Sequence, residues 1–166
     1  MPGTGELWAV LDEHGRDTGR THERGFPLAP GDYHLIVDVW IRNGEGLYLI
    51  SRRAVDKHPF AGMWAPTCGC AIVGDTSVVA AAREASEELG VALVPGEGKL
   101  ITRIVDAQYQ DILDVWLFER EVDIRLIVLQ PGETDDAAWA SMPEIREMMS
   151  QGQFMGPERI GYLDML

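Results

Sequence analysis

Apolar and polar positions along this chain fall into several short runs of strand character and switch once to a clear helical period. Residues 33–42, YHLIVDVWIR, are dense in β-branched and aromatic side chains, stop at Asn43-Gly44-Glu45-Gly46, and resume as LYLISRR. Asn-Gly between two apolar runs is a strong hairpin signal, because both residues tolerate the backbone that a tight turn needs. Residues 6–11 and 17–21 flank the turn-like DEHGR and predict an opening hairpin, joined onward by the linker FPLAPGD. Residues 54–75 carry Pro59, Gly62, Pro66, Gly69 and Gly74 and read as one long irregular stretch. Its Phe60, Met63 and Trp64 argue for an ordered, functional loop over a disordered one.

Residues 76–89 carry the helical period. Asp75, Thr76 or Ser77 is placed to cap the start and Gly90 to end it. At about 100° per residue, Val78, Ala81, Ala82, Ala85 and Leu89 share the face expected to meet the core, while Arg83, Glu84, Glu87 and Glu88 share the other. Further strands are predicted at 99–107, 111–121, 126–129 and 137–140, and a closing helix at 143–150 with proline in its first turn. Strands before and after a central helix point to an α/β fold with a mixed sheet. No repeat or composition break divides the 166 residues, so one domain over 1–166 is expected, residues 1–30 being a hairpin extension and linker.

Charge narrows the partners. The chain has 27 Asp and Glu against 14 Lys and Arg, a formal charge of −13, and no dense basic run. Such a field repels a polyanion, so nucleic acid is not expected as a partner, whereas a small anion carried in with divalent metal remains compatible. No run of about 18 apolar residues could span a bilayer, and MPGTGELWAVLDEHG lacks the basic start and apolar stretch of a signal peptide. A cytoplasmic location without membrane contact is expected. Cys68 and Cys70 are the only cysteines, which make neither a disulfide framework nor a complete zinc ligand set.

The acidic helix face is the feature that asks for chemistry. Glu84 precedes Glu87 and Glu88 by three and four positions, so like charges are surface neighbours, an arrangement that costs a few tenths of a kcal/mol per pair. They lie in the last two turns, where the helix dipole disfavours anions, and the only basic neighbour is Arg83. A merely solvated face is the plainer explanation, but a sequence tuned for helix stability would not be built this way. Carboxylate oxygens without cationic partners suit a hard divalent cation such as Mg²⁺ or Mn²⁺. Arg52, Arg53 and Lys57 are either surface charges or phosphate ligands, and Trp64, Phe60 and Tyr33 either core aromatics or a platform for a base or apolar tail.

The spacing is that of a known motif. Gly69, five residues, Asp75, seven residues, then Arg83-Glu84-Ala85-Ser86-Glu87-Glu88-Leu89-Gly90-Val91 resembles the Nudix box. Gly69, Arg83, Glu84, Glu87, Glu88, Gly90 and Val91 match outright, Ala85 loosely, and Asp75 stands where the family has Glu. The resemblance implies a Nudix fold, a mixed sheet sandwiched between α-helices, and hydrolysis of a small-molecule diphosphate linked to some moiety X. It implies Mg²⁺ or Mn²⁺ as cofactor, Glu84, Glu87 and Glu88 as its ligands, and Arg83 as the residue that orients a carboxylate. Asp75 serves either that site or the helix cap. Family members often take a further carboxylate from a later loop, and Glu133 in QPGETDD is the candidate, with Asp135 and Asp136 behind it and a solvated acidic turn as the alternative. A homodimer is the family-level expectation.

Within the superfamily, LYLISRRAVDKHPFAGMWAPTCGC resembles isopentenyl-diphosphate isomerase. On that resemblance Cys68 matches a catalytic cysteine, His34 a metal-binding histidine, and Arg53 and Lys57 diphosphate-binding positions. Two positions depart from it: Cys70 replaces another metal-binding histidine, and Asp114 is the nearest match to a catalytic Glu. The isomerase's box is degenerate, whereas the acidic face here is complete. Hydrolase is therefore the leading expectation, with an isomerase-like enzyme or a catalytically weak diphosphate-binding module as alternatives.

Overall fold

In a computed structural model that describes residues 5–166, the strand at the centre is β3, His34–Arg42. Its run is apolar on both faces because both are covered. Ile36 and Trp40 join one core cluster, and Val37, Val39 and Ile41 the other. On one side β3 pairs in parallel with β8 (Asp111–Glu119), which pairs antiparallel with β7 (Lys99–Asp106). On the other it turns through Asn43–Leu47 into β4 (Tyr48–Arg53) and also pairs antiparallel with β6, Thr67–Cys70. The two-residue β5 (Trp64–Ala65) and β9 (Thr134–Ala140) flank β4. The result is a seven-stranded mixed sheet.

Helix α1, Ser77–Leu89, packs Ala80, Ala81, Ala85 and Leu89 onto one face of the sheet. Helix α2 (Met142–Ser150), the short α3 (Pro157–Ile160) and the C-terminal residues cover the other through Ile145, Phe154, Ile160, Tyr162 and Leu163. The expected sandwich of a mixed sheet between helices is therefore what the chain forms. Ahead of it, β1 (Leu7–Leu11) and β2 (Asp17–Glu23) form the expected separate hairpin. Among the described residues no helix is long and apolar enough to cross a membrane.

Three local expectations need correction, and one left open, the cap of α1, is decided. The irregular stretch 54–75 contains β5 and β6, whose residues TCGC have no apolar alternation to announce a strand and are held by pairing with β3. The strand expected at 126–129 is absent. A 3-10 turn at Ile124–Leu126 leads instead into extended chain whose Val128 and Gln130 N–H groups donate to the carbonyls of Leu89 and Glu88. That segment satisfies the end of α1, so its apolar residues Ile127 and Leu129 pack on the helix rather than in the sheet. On α1 itself Ala80 is fully buried and Val78 and Ala82 are not, because the helix is rotated to bury Glu84 and Glu88. Thr76 is the cap, its hydroxyl accepting from the Val79 N–H, while Asp75 serves another purpose.

The C-terminal tail, which no periodicity predicted, is tied in by a buried polar chain. Trp40 Nε1 donates to the Tyr162 hydroxyl at 3.0 Å, and that hydroxyl donates to Asp38 Oδ2 at 2.5 Å. All three residues are buried. Tyr162→Phe leaves the Trp40 donor and the Asp38 acceptor without this partner, so we expect a loss of about 1–3 kcal/mol, a Tm lower by about 2–4 °C for each. Urea unfolding with an unchanged midpoint would show that the chain contributes nothing.

Candidate active site

The helix face and the far side of β6 open onto one cavity of about 450 Å³. Glu84, Glu87 and Glu88 line it together, as the box spacing requires. Their environments differ. Glu87 is exposed, whereas Glu84 and Glu88 are buried where α1 crosses β6. Gly69 makes that crossing possible: a Cβ there would lie 2.0 Å from Glu84 Cδ and within 2.4 Å of both its oxygens. No side chain fits between that strand and that carboxylate.

Arg83 is the hub of the face. Nη1 donates to Glu84 Oε1 at 2.9 Å and Glu87 Oε2 at 3.2 Å, Nη2 donates to the Cys70 carbonyl at 2.9 Å, and Nε and Nη2 both reach Asp75 Oδ2. Asp75 also accepts from the Ile72 N–H. The Asp in place of the box Glu thus anchors the guanidinium to the loop before α1 rather than facing the cavity.

Burial raises both inner carboxyls. Glu84 is pushed up to about 7, with Arg83 opposing, and Glu88 to about 8, where Glu84 and Glu133 add repulsion and Arg53 and Lys57 oppose it. The Thr134 hydroxyl donates to the Glu88 backbone carbonyl at 3.0 Å, but among the described residues no side chain hydrogen-bonds or ion-pairs with the Glu88 carboxylate. Among the described residues no three His, Cys, Asp or Glu groups converge at metal-binding distance, since Arg83 holds Glu84 and Glu87. The donor set nevertheless fits a hard divalent cation: oxygen ligands only, two of them buried with too little positive charge beside them.

Cations face these acids. Lys57 pairs with Glu133, and both line the cavity, as does Arg53, whose Nε donates to the Pro59 carbonyl at 3.1 Å and whose Nη1 lies 3.7 Å from Cys68 Sγ. Asp135 is drawn away by Arg52 at 2.7 Å, and Asp136 lies 3.8 Å from the same guanidinium. Trp64 is not in this cavity. It packs against the core beneath α2, with Arg52 5.7 Å over its ring, so it has no access to bound substrate here. Phe60, from the same loop, does line it, while Tyr33 is buried with Leu11 and Ile112.

Beyond β6 the cavity continues. Because side chains alternate along a strand, Cys68 and Cys70 project away from the Gly69 and Glu84 side, toward His34 and Asp38. His34 stacks on Trp8 at 4.0 Å, and its Nδ1 lies 3.2 Å from the Gln110 carbonyl. A carbonyl only accepts, so Nδ1 carries the proton and Nε2 keeps its lone pair. Burial lowers the His34 pKa to about 4 and raises that of the Cys68 thiol, so both groups are neutral near pH 7. Asp114 is elsewhere. It is clamped by Arg103 at 2.6 and 2.7 Å on the other face of the sheet, and the acid lining the cavity from β8 is Asp111. The isomerase-like set of Cys68, His34 and Asp114 is therefore not brought together.

Sequence reasoning missed Glu6, Arg24, Asp111 and Arg159, which complete the wall. They come from the hairpin, the start of β8 and α3, and only the tertiary fold brings them near the box.

Comparison with known proteins agrees with this geometry. The NUDIX domain family matches residues 32–155. An uncharacterized Nudix hydrolase of Listeria monocytogenes is 34% identical over 152 residues, 90% of this chain and 88% of its own length. An isopentenyl-diphosphate Delta-isomerase of Streptomyces coelicolor is 29% identical over 92% of this chain and 80% of its own. A crystal structure from Deinococcus radiodurans, 18% identical, superposes with a TM-score of 0.77 over 96% of this chain and 98% of that one. The chain belongs to the Nudix family, and its enzyme class is that of the Nudix-type pyrophosphohydrolases.

Proposed function

We propose that the protein is a metal-dependent hydrolase that cleaves the diphosphate bond of a small organic diphosphate linked to a moiety X. The observation that carries this reading is the pair Glu84 and Glu88: two buried carboxylates, both raised in pKa, opening into a cavity that also holds Arg53 and Lys57. Glu84, Glu87 and Glu88 would hold Mg²⁺ or Mn²⁺. The bound cation would neutralise the diphosphate, polarise a phosphorus–oxygen bond and lower the pKa of the attacking water. Arg83, fixed by Asp75 and the Cys70 carbonyl, holds Glu84 and Glu87 in place. Arg53 and Lys57 would bind the phosphates, and Glu133, which pairs with Lys57 in the cavity wall, would take the proton from water. Among solved relatives of this fold, the NUDIX domain of Shewanella oneidensis NrtR was crystallised with ADP ribose, which supports a small-molecule partner of this class.

The isomerase-like reading stands second, favoured by the placement of Cys68 and His34 in the same cavity and weakened by the absence of Asp114 from it. Two variants separate the readings. In a Mg²⁺-dependent phosphate-release screen over organic diphosphates, coupled to pyrophosphatase and phosphatase, Glu88→Gln is expected to lower turnover by on the order of a hundredfold or more, since metal-ion stabilisation is worth several kcal/mol. Cys68→Ala is expected to retain turnover. The reverse pattern in an alkene-isomerisation assay would sink the hydrolase reading.

Gly69→Ala tests the crossing of β6 and α1. The added methyl must displace the Glu84 carboxylate, so the Mg²⁺ concentration giving half-maximal activity is expected to rise at least several-fold with the fold intact by circular dichroism. An unchanged metal requirement would mean that Glu84 is not a ligand.

The raised carboxyls also set a pH dependence in the metal-free protein. Folded Glu84 and Glu88 bind protons up to about 7 and 8, while the unfolded chain releases them near the ordinary glutamate value of 4.5. The folded state therefore holds more protons between those limits, and stability falls as pH rises from about 4.5 to 8. With EDTA present, urea midpoints are expected to drop across that window, and Mg²⁺ or the Glu88→Gln change to flatten the drop. A midpoint that rises with pH across it would contradict the assignment.

A further inference from the structure

The cavity has two unlike ends. At one, Arg53 and Lys57 face the α1 acids, and their influence falls on Glu88. At the other, behind β6, the walls are Arg24, His34, Asp111 and Arg159, and the influence of Arg159 falls on Asp38, Asp111 and His34. Apolar side chains such as Ile36, Pro59, Phe60 and Met155 line the space between the two ends, and the His34 ring is already stacked on Trp8.

Arg159 is the informative residue. Its side chain is partly buried in the cavity wall, yet among the described residues no hydrogen bond or ion pair reaches its guanidinium. Arg24 by contrast is matched by Glu6 at 2.7 Å, and Lys57 by Glu133. The acids whose charge acts on Arg159, Asp38 and Asp111, hold its pKa up from a distance but do not pair with it: Asp38 accepts from the Tyr162 hydroxyl, and Asp111 lies outside ion-pair distance. A partly buried guanidinium without a carboxylate partner, facing an open chamber, is arranged to receive an anion.

We propose that Arg159 is a specificity residue that binds a second acidic group, a carboxylate or a phosphate carried by X at the end away from the scissile diphosphate. This rests on the hydrolase reading for the diphosphate end alone. The substrate class is then an organic diphosphate with an anionic terminus, the two charges held on opposite sides of β6. Arg159 lies on α3, outside residues 32–155 that the family model matches.

The probes are alkyl diphosphates from butyl to octyl, each with its ω-carboxylate and ω-phosphate analogue. The wild type is expected to favour at least one acidic analogue over the plain alkyl compound on the order of tenfold to a hundredfold in kcat/KM, mostly through KM. Whether carboxylate or phosphate gains more identifies the group. Arg159→Gln is expected to erase the preference while leaving the plain compounds unchanged, and Arg159→Lys to keep part of it. Equal kcat/KM for acidic and plain compounds in the wild type overturns the proposal, as does an Arg159→Gln variant that slows both alike. Calorimetric binding of the same compounds with EDTA present reads the subsite without turnover. A binding preference without hydrolysis would overturn the hydrolase reading and leave the subsite standing, whereas equal binding overturns the subsite.

Discussion

The burial of Glu84 and Glu88 at the crossing of α1 and β6 is the constraint from which the rest of the site follows. Placing carboxylates under a helix is costly unless cations or donors meet them, and the protein meets them only in part. The Glu84 carboxylate receives one guanidinium nitrogen, while the Glu88 carboxylate receives no side-chain bond among the described residues. The remaining deficit of positive charge at Glu88, beside the Arg83 pairs to Glu84 and Glu87, is the observation on which the proposed cation site rests. It also explains why Gly69 carries no side chain and why Arg83 is fixed from three directions.

The same strand divides the cavity. β6 presents Gly69 toward the acids and Cys68 and Cys70 toward the opposite face, so the pleat separates the end lined by the box acids from a chamber of His34, Asp111 and Arg159. That chamber is closed by elements from both ends of the chain. The opening hairpin brings Arg24 and stacks Trp8 on His34, and the tail brings Arg159, anchored by Tyr162 through Asp38 and Trp40. One sheet thus carries the box acids on one side of β6, while the hairpin and the C-terminal tail wall the chamber on the other.

Much of the fold was legible in the sequence where residues announce their own geometry. The Asn43-Gly44 turn, the capped period of α1 and the doubly apolar β3 each follow from local propensity and burial. The β6 strand was not legible, because TCGC gains its extended form from pairing with β3 rather than from its own side chains. Residues 126–129 misled for the opposite reason: their apolar content serves to cap and cover α1, a use that the period-two pattern does not distinguish from a strand. Within the site, the box acids were found because their spacing is a motif. Trp64 was misplaced because an aromatic residue in a functional loop has no sequence mark for which way it points.

The sequence by itself determined the family and the acidic helix face with its carboxylate oxygens, since these reside in residue types at fixed spacing along one helix. Tertiary structure alone decided that two of the three glutamates are buried and one exposed. It also decided that Asp75 serves Arg83, that Asp114 is spent on Arg103, and that Arg159 meets His34 across 125 positions of chain. Those facts depend on desolvation and on contacts between distant segments, and neither quantity is written in the local order of the residues.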